Sequence, residues 1–99
     1  YLRFGNYELH PSSKEILNIK TGAVEKLTER EVSIIQYLYK AQNKPISKTE
    51  LLQNVWEYNA DVSTHTIETH IYRLRKKVEK DDMETPLIAA EDGGYKLVR

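Results

Sequence analysis

Apolar and polar positions are most regularly patterned in residues 61–80. Wound at about 100° per residue, this stretch places its apolar side chains at steps of four, three and four, in one narrow stripe. The stripe consists of Ile67, Ile71, Leu74 and Val78. The opposite side carries hydroxyl, imidazole, phenol and cationic groups. The pattern predicts a helix over residues 63–80 that buries one side and exposes a polar face.

Two shorter helices are predicted upstream, each from its own start signal. Thr28 precedes Glu31, and Ser47 precedes Glu50, at the spacing of a capping box, in which each side chain satisfies the other residue's backbone N–H. Apolar residues recur at helical spacing after each pair. The first helix is expected to end near Asn43-Lys44-Pro45, because the residue before a proline avoids helical backbone angles.

Both ends of the chain have the alternation that is typical of short strands. Residues 1–26 alternate over runs broken at Gly5-Asn6 and Thr21-Gly22, which predicts three or four antiparallel strands. Two further runs flank Glu91–Gly94, whose Gly-Gly pair suits a hairpin because glycine takes positive φ without steric cost. In chain order the predicted elements are a sheet (1–26), two helices (28–43 and 47–56), a loop (57–62), the long helix (63–80) and a hairpin (87–98).

This order of elements implies an α+β fold. A helix, a short connection and a second helix form a helix-turn-helix, and a hairpin that follows one is a wing. A chain of 99 residues is long enough for one core and too short for two. We therefore expect a single domain over residues 1–99: a winged helix-turn-helix with an N-terminal antiparallel β-sheet, three helices and a C-terminal β-hairpin wing.

Composition bears on location and on catalysis. Without cysteine, neither a disulfide framework nor a thiolate metal site is possible. No apolar run approaches the ~20 residues of a membrane span, and no secretory signal is present, so we expect a cytoplasmic location and no membrane partner. His65 and His70 are five residues apart, about 140° around a helix, and cannot chelate one metal as HExxH does. We expect no enzyme, no cofactor and no metal site.

Charge is neutral in total and uneven in distribution. A net charge of zero argues mildly against a nucleic-acid binder, since such domains are usually basic. Residues 61–80, however, carry five cations and three anions, whereas residues 81–99 carry two cations and five anions. A helix with hydroxyls, a phenol and cations on one face fits the major groove of DNA, where these groups reach phosphates and base edges. An ordinary solvated face is the alternative.

Four motifs in fixed order carry a family resemblance. They are LTxxE at residues 27–31, LLxxVW ending at Trp56, TIETHIYRLRKKVE at Thr66–Glu79, and GGYKL at Gly93–Leu97. In this combination the chain resembles the DNA-binding effector domain of OmpR/PhoB-type two-component response regulators. The resemblance implies sequence-specific binding of double-stranded DNA in transcription regulation, with the long helix as recognition helix in the major groove.

The resemblance, together with the polar face, assigns candidate site residues. Arg73 is expected to contact bases, because arginine can bond bidentately to guanine, and Tyr72 and Thr69 are expected to join it. Tyr72 stands where the family often has arginine. The candidates for phosphate contact are Thr66, His70, Lys76, Lys77, His65 and Trp56. For His70 a half-buried structural role and for Trp56 a core position remain open. Arg75 is expected to form an ion pair near Glu68 and Glu79.

The wing departs from the family pattern. Relatives typically have Thr-Val-Arg-Gly before the Gly-Tyr, and that arginine enters the minor groove. This chain has Ala89, Ala90, Glu91 and Asp92 there. Carboxylates should be repelled by phosphates, so the wing is expected to contact DNA weakly, with Lys96 and Arg99 left to reach the backbone.

The resemblance also implies partners. Such domains usually follow a receiver domain and occupy tandem direct-repeat half-sites, and relatives approach RNA polymerase through the loop that corresponds to Glu57–Val62. An ordinary connector is an equally good interpretation of that loop. A different class of function also stays open: a winged-helix adaptor that contacts proteins and does not bind DNA, which the neutral charge and acidic wing would suit.

Overall fold

The computed structural model of the chain describes residues 1–42, 44–56, 63–79 and 87–97. The elements there agree with the predicted architecture of an N-terminal sheet, three helices and a C-terminal wing. They are β1 (Leu2–Phe4), β2 (Tyr7–His10), β3 (Glu15–Asn18), β4 (Val24–Lys26), α1 (Glu29–Lys40), β5 (Ile46–Ser47), α2 (Lys48–Val55), α3 (Thr64–Glu79), β6 (Ile88–Glu91) and β7 (Gly94–Leu97).

The first four strands form an antiparallel meander in the order β1-β2-β3-β4. Their inward residues, including Phe4, Tyr7 and Ile16, are almost fully buried. Strand β3 ends at Asn18, because its side-chain oxygen accepts from the backbone N–H groups of Lys20 at 2.9 Å and Thr21 at 3.2 Å. These two bonds replace the sheet ladder by a turn.

Helix α1 begins with the predicted capping box. The Thr28 hydroxyl accepts from the Glu31 backbone N–H at 3.2 Å, and the Glu31 carboxylate accepts from the Thr28 backbone N–H at 2.8 Å. The helix ends at Lys40, with Ala41 as its C-cap, before the predicted end at residue 43. Gln42 has a φ of 51°, which is incompatible with continuing the helix.

The second capping box is only half formed, which corrects the prediction for α2. The Ser47 hydroxyl accepts from the Glu50 backbone N–H at 3.1 Å. The Glu50 carboxylate, however, accepts from the Tyr37 hydroxyl at 2.7 Å. Glu50 is therefore turned toward α1, and it joins α1 to α2 rather than closing the box.

The wing belongs to a three-stranded sheet of order β5-β7-β6. Strand β5 pairs Ile46 with Tyr95. It was not predicted, because two residues are too few to show the apolar–polar alternation of a strand. The hairpin turn is also shifted from the predicted Gly-Gly pair. Asp92 (φ 53°) and Gly93 (φ 76°) form it, as a two-residue turn with positive φ at both positions requires.

Gly94 has a different reason for being glycine. It lies in β7, opposite Ser47 of β5. A Cβ atom built there would collide with the carbonyl oxygen of Ile46, a backbone atom that no side-chain rotation can move. The close approach of β5 thus accounts for Gly94, whereas φ accounts for Gly93.

The three helices and both sheets enclose one core. All four residues of the predicted α3 stripe are buried, and Ile67 and Leu74 are fully inaccessible to solvent. Leu51 of α2 and Leu97 of β7 belong to the same core. This burial fixes the rotation of α3 about its axis and turns its polar face outward. Among the described residues, no helix has the length and apolar character needed to cross a membrane.

Candidate nucleic-acid interface

Arg73 and Tyr72 lie on the outer face of α3. Both side chains are exposed, Tyr72 to 64%. Within the described part of the chain, no hydrogen bond or ion pair holds the Arg73 guanidinium. Its planar set of donors is therefore available for a ligand, and that set matches the O6 and N7 atoms of guanine in the major groove.

Lys76 lies one helical turn beyond Tyr72 and beside Arg73. Its Nζ atom is 5.9 Å from the centre of the Tyr72 ring, which is within the range of a cation–π contact. The lysine is exposed. A cation and an aromatic ring are thus held side by side on the face that also presents Arg73.

Thr69 has a hydroxyl that is partly committed within its own helix. The hydroxyl donates to the carbonyl oxygen of His65 at 3.1 Å, and the side chain is half-buried. Since the proton is used inside the helix, the methyl group and the oxygen lone pairs remain for an outside ligand.

His70 and Trp56 pack against each other where α2 and α3 meet. Their ring centres are 4.8 Å apart in an edge-to-face arrangement. The Nδ1 atom of His70 lies 3.0 Å from the carbonyl oxygen of Thr66. A carbonyl oxygen only accepts, so Nδ1 carries the proton and Nε2 is the ring nitrogen left for an outside ligand. His70 therefore has the structural role that the sequence left open.

Arg30 of α1 is part of this cluster and was missed by sequence reasoning. Its guanidinium lies 5.2 Å from the centre of the Trp56 ring and donates to the carbonyl oxygen of Val55, near the end of α2. The contacts span 25 and 26 residues along the chain, so no local spacing could have indicated them. Trp56 itself is half-buried and forms the C-cap of α2.

His65 and Glu68 lie near the start of α3, and Lys48 opens α2 beside them. The Lys48 ammonium is 2.6 Å from the Glu68 carboxylate, and His65 Nδ1 is 3.5 Å from the other oxygen of Glu68. The hydrogen bond from Lys48 lowers the pKa of Glu68, and the same bond raises the pKa of Lys48. His65 is the more exposed of the three, with 83% of its side chain accessible.

The Lys48–Glu68 pair also reaches the wing. The ammonium lies 6.0 Å from the centre of the Tyr95 ring on β7. One lysine of the first helix of the helix-turn-helix thus contacts both the second helix and the wing. Sequence reasoning missed Lys48 because its partners are 20 and more residues away.

Lys77, one of the predicted phosphate contacts, has two partners within the protein. Its ammonium is 2.8 Å from the Glu31 carboxylate and 3.2 Å from the carbonyl oxygen of Lys26. These partners lie on α1 and β4. The Lys77 side chain is therefore directed toward the side of α3 that packs on α1 and β4, and not toward its outer face. Arg75 pairs with Glu79 at 3.4 Å, as expected, whereas its other suggested partner, Glu68, is bound by Lys48.

The wing tip is acidic in the structure as in the sequence. Glu91 binds the Lys96 ammonium at 2.7 Å across the hairpin, so the charge of Lys96 is neutralised within the wing. Asp92 is exposed in the turn. Two predictions, a backbone contact by Arg99 and a partner-binding loop at Glu57–Val62, fall outside the described residues.

Comparison with known proteins identifies the family. A family model described as "Transcriptional regulatory protein, C terminal" matches residues 22–97. The chain belongs to this family. The resemblance to OmpR/PhoB-type effector domains is thereby confirmed, and so is the winged helix-turn-helix fold.

Relatives of this transcriptional regulatory C-terminal domain include Response regulator SaeR of Staphylococcus aureus. SaeR is 39% identical over 71 residues, which cover 71% of this chain and 31% of SaeR. The chain thus spans less than a third of the length of that relative.

Solved structures are similar over nearly the whole chain. The DNA-binding domain of E. coli CadC has a TM-score of 0.84 and 29% identity, covering 98% of this chain and 91% of that domain. The DNA-binding domain of CpxR from E. coli has a TM-score of 0.76 and 26% identity, covering 98% and 94%.

Proposed function

We propose that this domain binds double-stranded DNA sequence-specifically, as the transcription-regulating output domain of a bacterial two-component response regulator. The observation that carries the proposal is the orientation of α3. Its buried stripe leaves Tyr72, Arg73 and Lys76 together on one exposed face. Membership of a transcriptional regulatory family and similarity to the CadC and CpxR DNA-binding domains support the same function.

Base contacts are assigned to the centre of the exposed face. Arg73 would bond to guanine through its guanidinium, which has no partner within the described ranges. Tyr72 would donate from its phenol to the backbone or pack on a thymine methyl, and the Thr69 methyl would face thymine. Because Tyr72 replaces the arginine common in the family, this domain is expected to prefer a different target sequence.

Phosphate contacts are assigned around that centre. Lys76 supplies an exposed ammonium. His65, at the start of the helix, supplies an imidazole that would form a weaker phosphate contact. The DNA backbone would also be contacted from the α2–α3 junction, by Thr66, by Trp56 and by Nε2 of His70. Lys77 is omitted from this set, since Glu31 and the Lys26 carbonyl already bind its ammonium.

The wider setting is proposed from the family. A receiver domain would precede this domain in the full protein, which would act in the cytoplasm, and two such domains would occupy direct repeats about 10–11 base pairs apart. The loop Glu57–Val62 would approach RNA polymerase.

The test is selection of bound duplexes from a random DNA pool, carried out with the wild-type domain, Arg73→Ala and Arg75→Ala. We expect the wild type to enrich one motif, because Arg73 reads a base directly. Arg73→Ala should relax one position of that motif by about 1–3 kcal/mol of discrimination. Arg75→Ala is the matched control: it removes the same charge from the same helix, but from a side chain paired with Glu79.

The control should leave the motif unchanged. A motif that is equally sharp in Arg73→Ala would contradict the assignment of Arg73 while leaving DNA binding intact. Enrichment absent even in a forced dimer would contradict the proposed function.

A protein-contacting adaptor is the second candidate, and the acidic wing favours it. Glu91 neutralises Lys96, so the wing offers no free cation to DNA within the described residues. The two functions differ in salt dependence. DNA binding through several cations should weaken with salt at a log–log slope of about −0.9 per phosphate contact. A domain without such a slope on any duplex would be an adaptor.

A further inference from the structure

Glu31 carries a carboxylate that is buried at the start of α1. Only 5% of its side chain is exposed. Burying a carboxylate is unfavourable unless its charge is paired and its oxygens accept hydrogen bonds. The Thr28 backbone N–H supplies one such bond at 2.8 Å, and the Lys77 ammonium supplies the opposite charge at 2.8 Å.

Lys77 joins three elements through one ammonium group. It projects from the last turns of α3, binds Glu31 at the beginning of α1, and donates at 3.2 Å to the carbonyl oxygen of Lys26, the last residue of β4. Its neighbour Lys76 is about 100° away around the helix and faces outward. Adjacent lysines therefore have different surroundings.

We infer that Lys77 is a positioning residue for DNA binding, which acts by fixing the C-terminal half of α3 on α1 and β4. The inference rests on the proposed function. Arg73 lies one turn before Lys77 on the same helix, so any shift of α3 relative to α1 moves Arg73 relative to the bases. A bidentate contact to guanine depends on that placement. Lys77 itself forms no phosphate contact.

The experiment compares the salt dependence of DNA binding in Lys77→Met and in the matched variant Lys76→Met. Each substitution removes one positive charge from adjacent positions of one helix. We expect Lys76→Met to reduce the log–log salt slope by about 0.9, the value for one phosphate contact. Lys77→Met should keep the wild-type slope and lose affinity by roughly tenfold at every salt concentration, as a disturbed bidentate base contact would.

Replacing the partner tests whether Lys77 acts through Glu31. Glu31→Gln keeps an acceptor for the Thr28 N–H but removes the charge that holds Lys77. We expect it to weaken binding as Lys77→Met does, and the double variant should be no weaker than either single variant. If Glu31→Gln instead steepens the salt slope and tightens binding, Lys77 is a phosphate contact that Glu31 restrains, and the inference is overturned.

A measurement on the wild-type domain covers the case in which a variant does not fold. Acetylation of lysines, read by mass spectrometry with and without duplex, reports each ammonium separately. Lys77 should react slowly in both states, whereas Lys76 should react in the free domain and be protected on DNA. Protection of Lys77 that appears only on DNA would overturn the inference.

The inference and the proposed function fail in different ways. If the wild-type domain binds no duplex, both the proposed function and the positioning role are contradicted. If the wild-type domain binds DNA and Lys77→Met has a reduced salt slope, only the positioning role is contradicted.

Discussion

Three of the four cations at positions 73–77 of α3 have three different surroundings. The Arg73 guanidinium has no partner within the described residues, Arg75 pairs with Glu79 on its own helix, and Lys77 binds the buried Glu31 of another helix. The burial of the apolar stripe determines which direction each position faces. Counting cations along the sequence therefore overstates the charge that α3 can offer to DNA.

The Glu91–Lys96 pair leads to a prediction about the wing. Glu91→Gln should release Lys96 and lower the negative charge near DNA, and so tighten binding by roughly three- to tenfold at low salt, with a slope steeper by about 0.9. Glu91→Arg should tighten it further. Fluorescence anisotropy over a salt series measures both.

Asp92→Asn is the control for this prediction. It removes one charge from the same turn, tolerates the positive φ, and leaves the Glu91–Lys96 pair in place. Its effect should be smaller than that of Glu91→Gln. Unchanged or weaker binding by both Glu91 variants would show that the wing does not approach DNA.

The close approach of β5 to Gly94 leads to a prediction about stability. Gly94→Ala should lower the free energy of unfolding by about 2 kcal/mol, because the added methyl group collides with the Ile46 carbonyl oxygen. Gly93→Asn, in the same hairpin, has open space around it and a residue type that accepts positive φ, so it should cost less. Urea denaturation measures both changes, and equal losses would contradict the steric explanation.

At the scale of elements, the Lys48–Glu68 ion pair joins α2 to α3, and the Glu68 carboxyl group can be titrated. The pKa of Glu68 lies below its ordinary value of 4.5, chiefly because Lys48 donates to the carboxylate. A carboxylate whose folded-state pKa is lowered stabilises the fold above its unfolded-state pKa. That contribution is lost as the pH falls from about 4.5 through the lower folded-state value.

Lys48→Met should therefore raise the pKa of Glu68 toward 4.5. His65→Gln is the control, since His65 is a weaker cause of the same shift, and it should raise the pKa less. An NMR titration of the Glu68 side-chain carboxyl measures both. If His65→Gln has the larger effect, Lys48 is not the main cause of the lowered pKa of Glu68.

Prediction from sequence succeeded where an element is specified by its own residues. The buried stripe of α3 and the Thr28–Glu31 box follow from spacing within a few residues, and both are present. It failed where a distant segment decides. The two-residue strand β5 and the Lys77–Glu31 pair depend on neighbours that only the folded chain supplies. The Asp92-Gly93 turn, by contrast, is a local Asp-Gly signal, and the prediction misplaced it by one residue.

For the whole molecule, a net charge of zero conceals separate regions of charge. Cations remain exposed on α3, while Glu91 and Asp92 make the wing tip acidic. Charges act on a bound ligand locally, because salt screens their interactions over a Debye length of ~10 Å at 0.1 M salt. DNA therefore meets the local field of α3, and the neutral total gives little information about this partner.

The pairing of β5 with β7 has a consequence for how the chain folds. The two strands are separated in sequence by the entire helix-turn-helix, and joining them closes a long loop, which is entropically costly and slow. Helices α1, α2 and α3 can meet before that loop closes. During synthesis on a ribosome, the recognition helix would thus dock early, while the start of α2 would gain its strand partner only after Gly94–Leu97 has emerged.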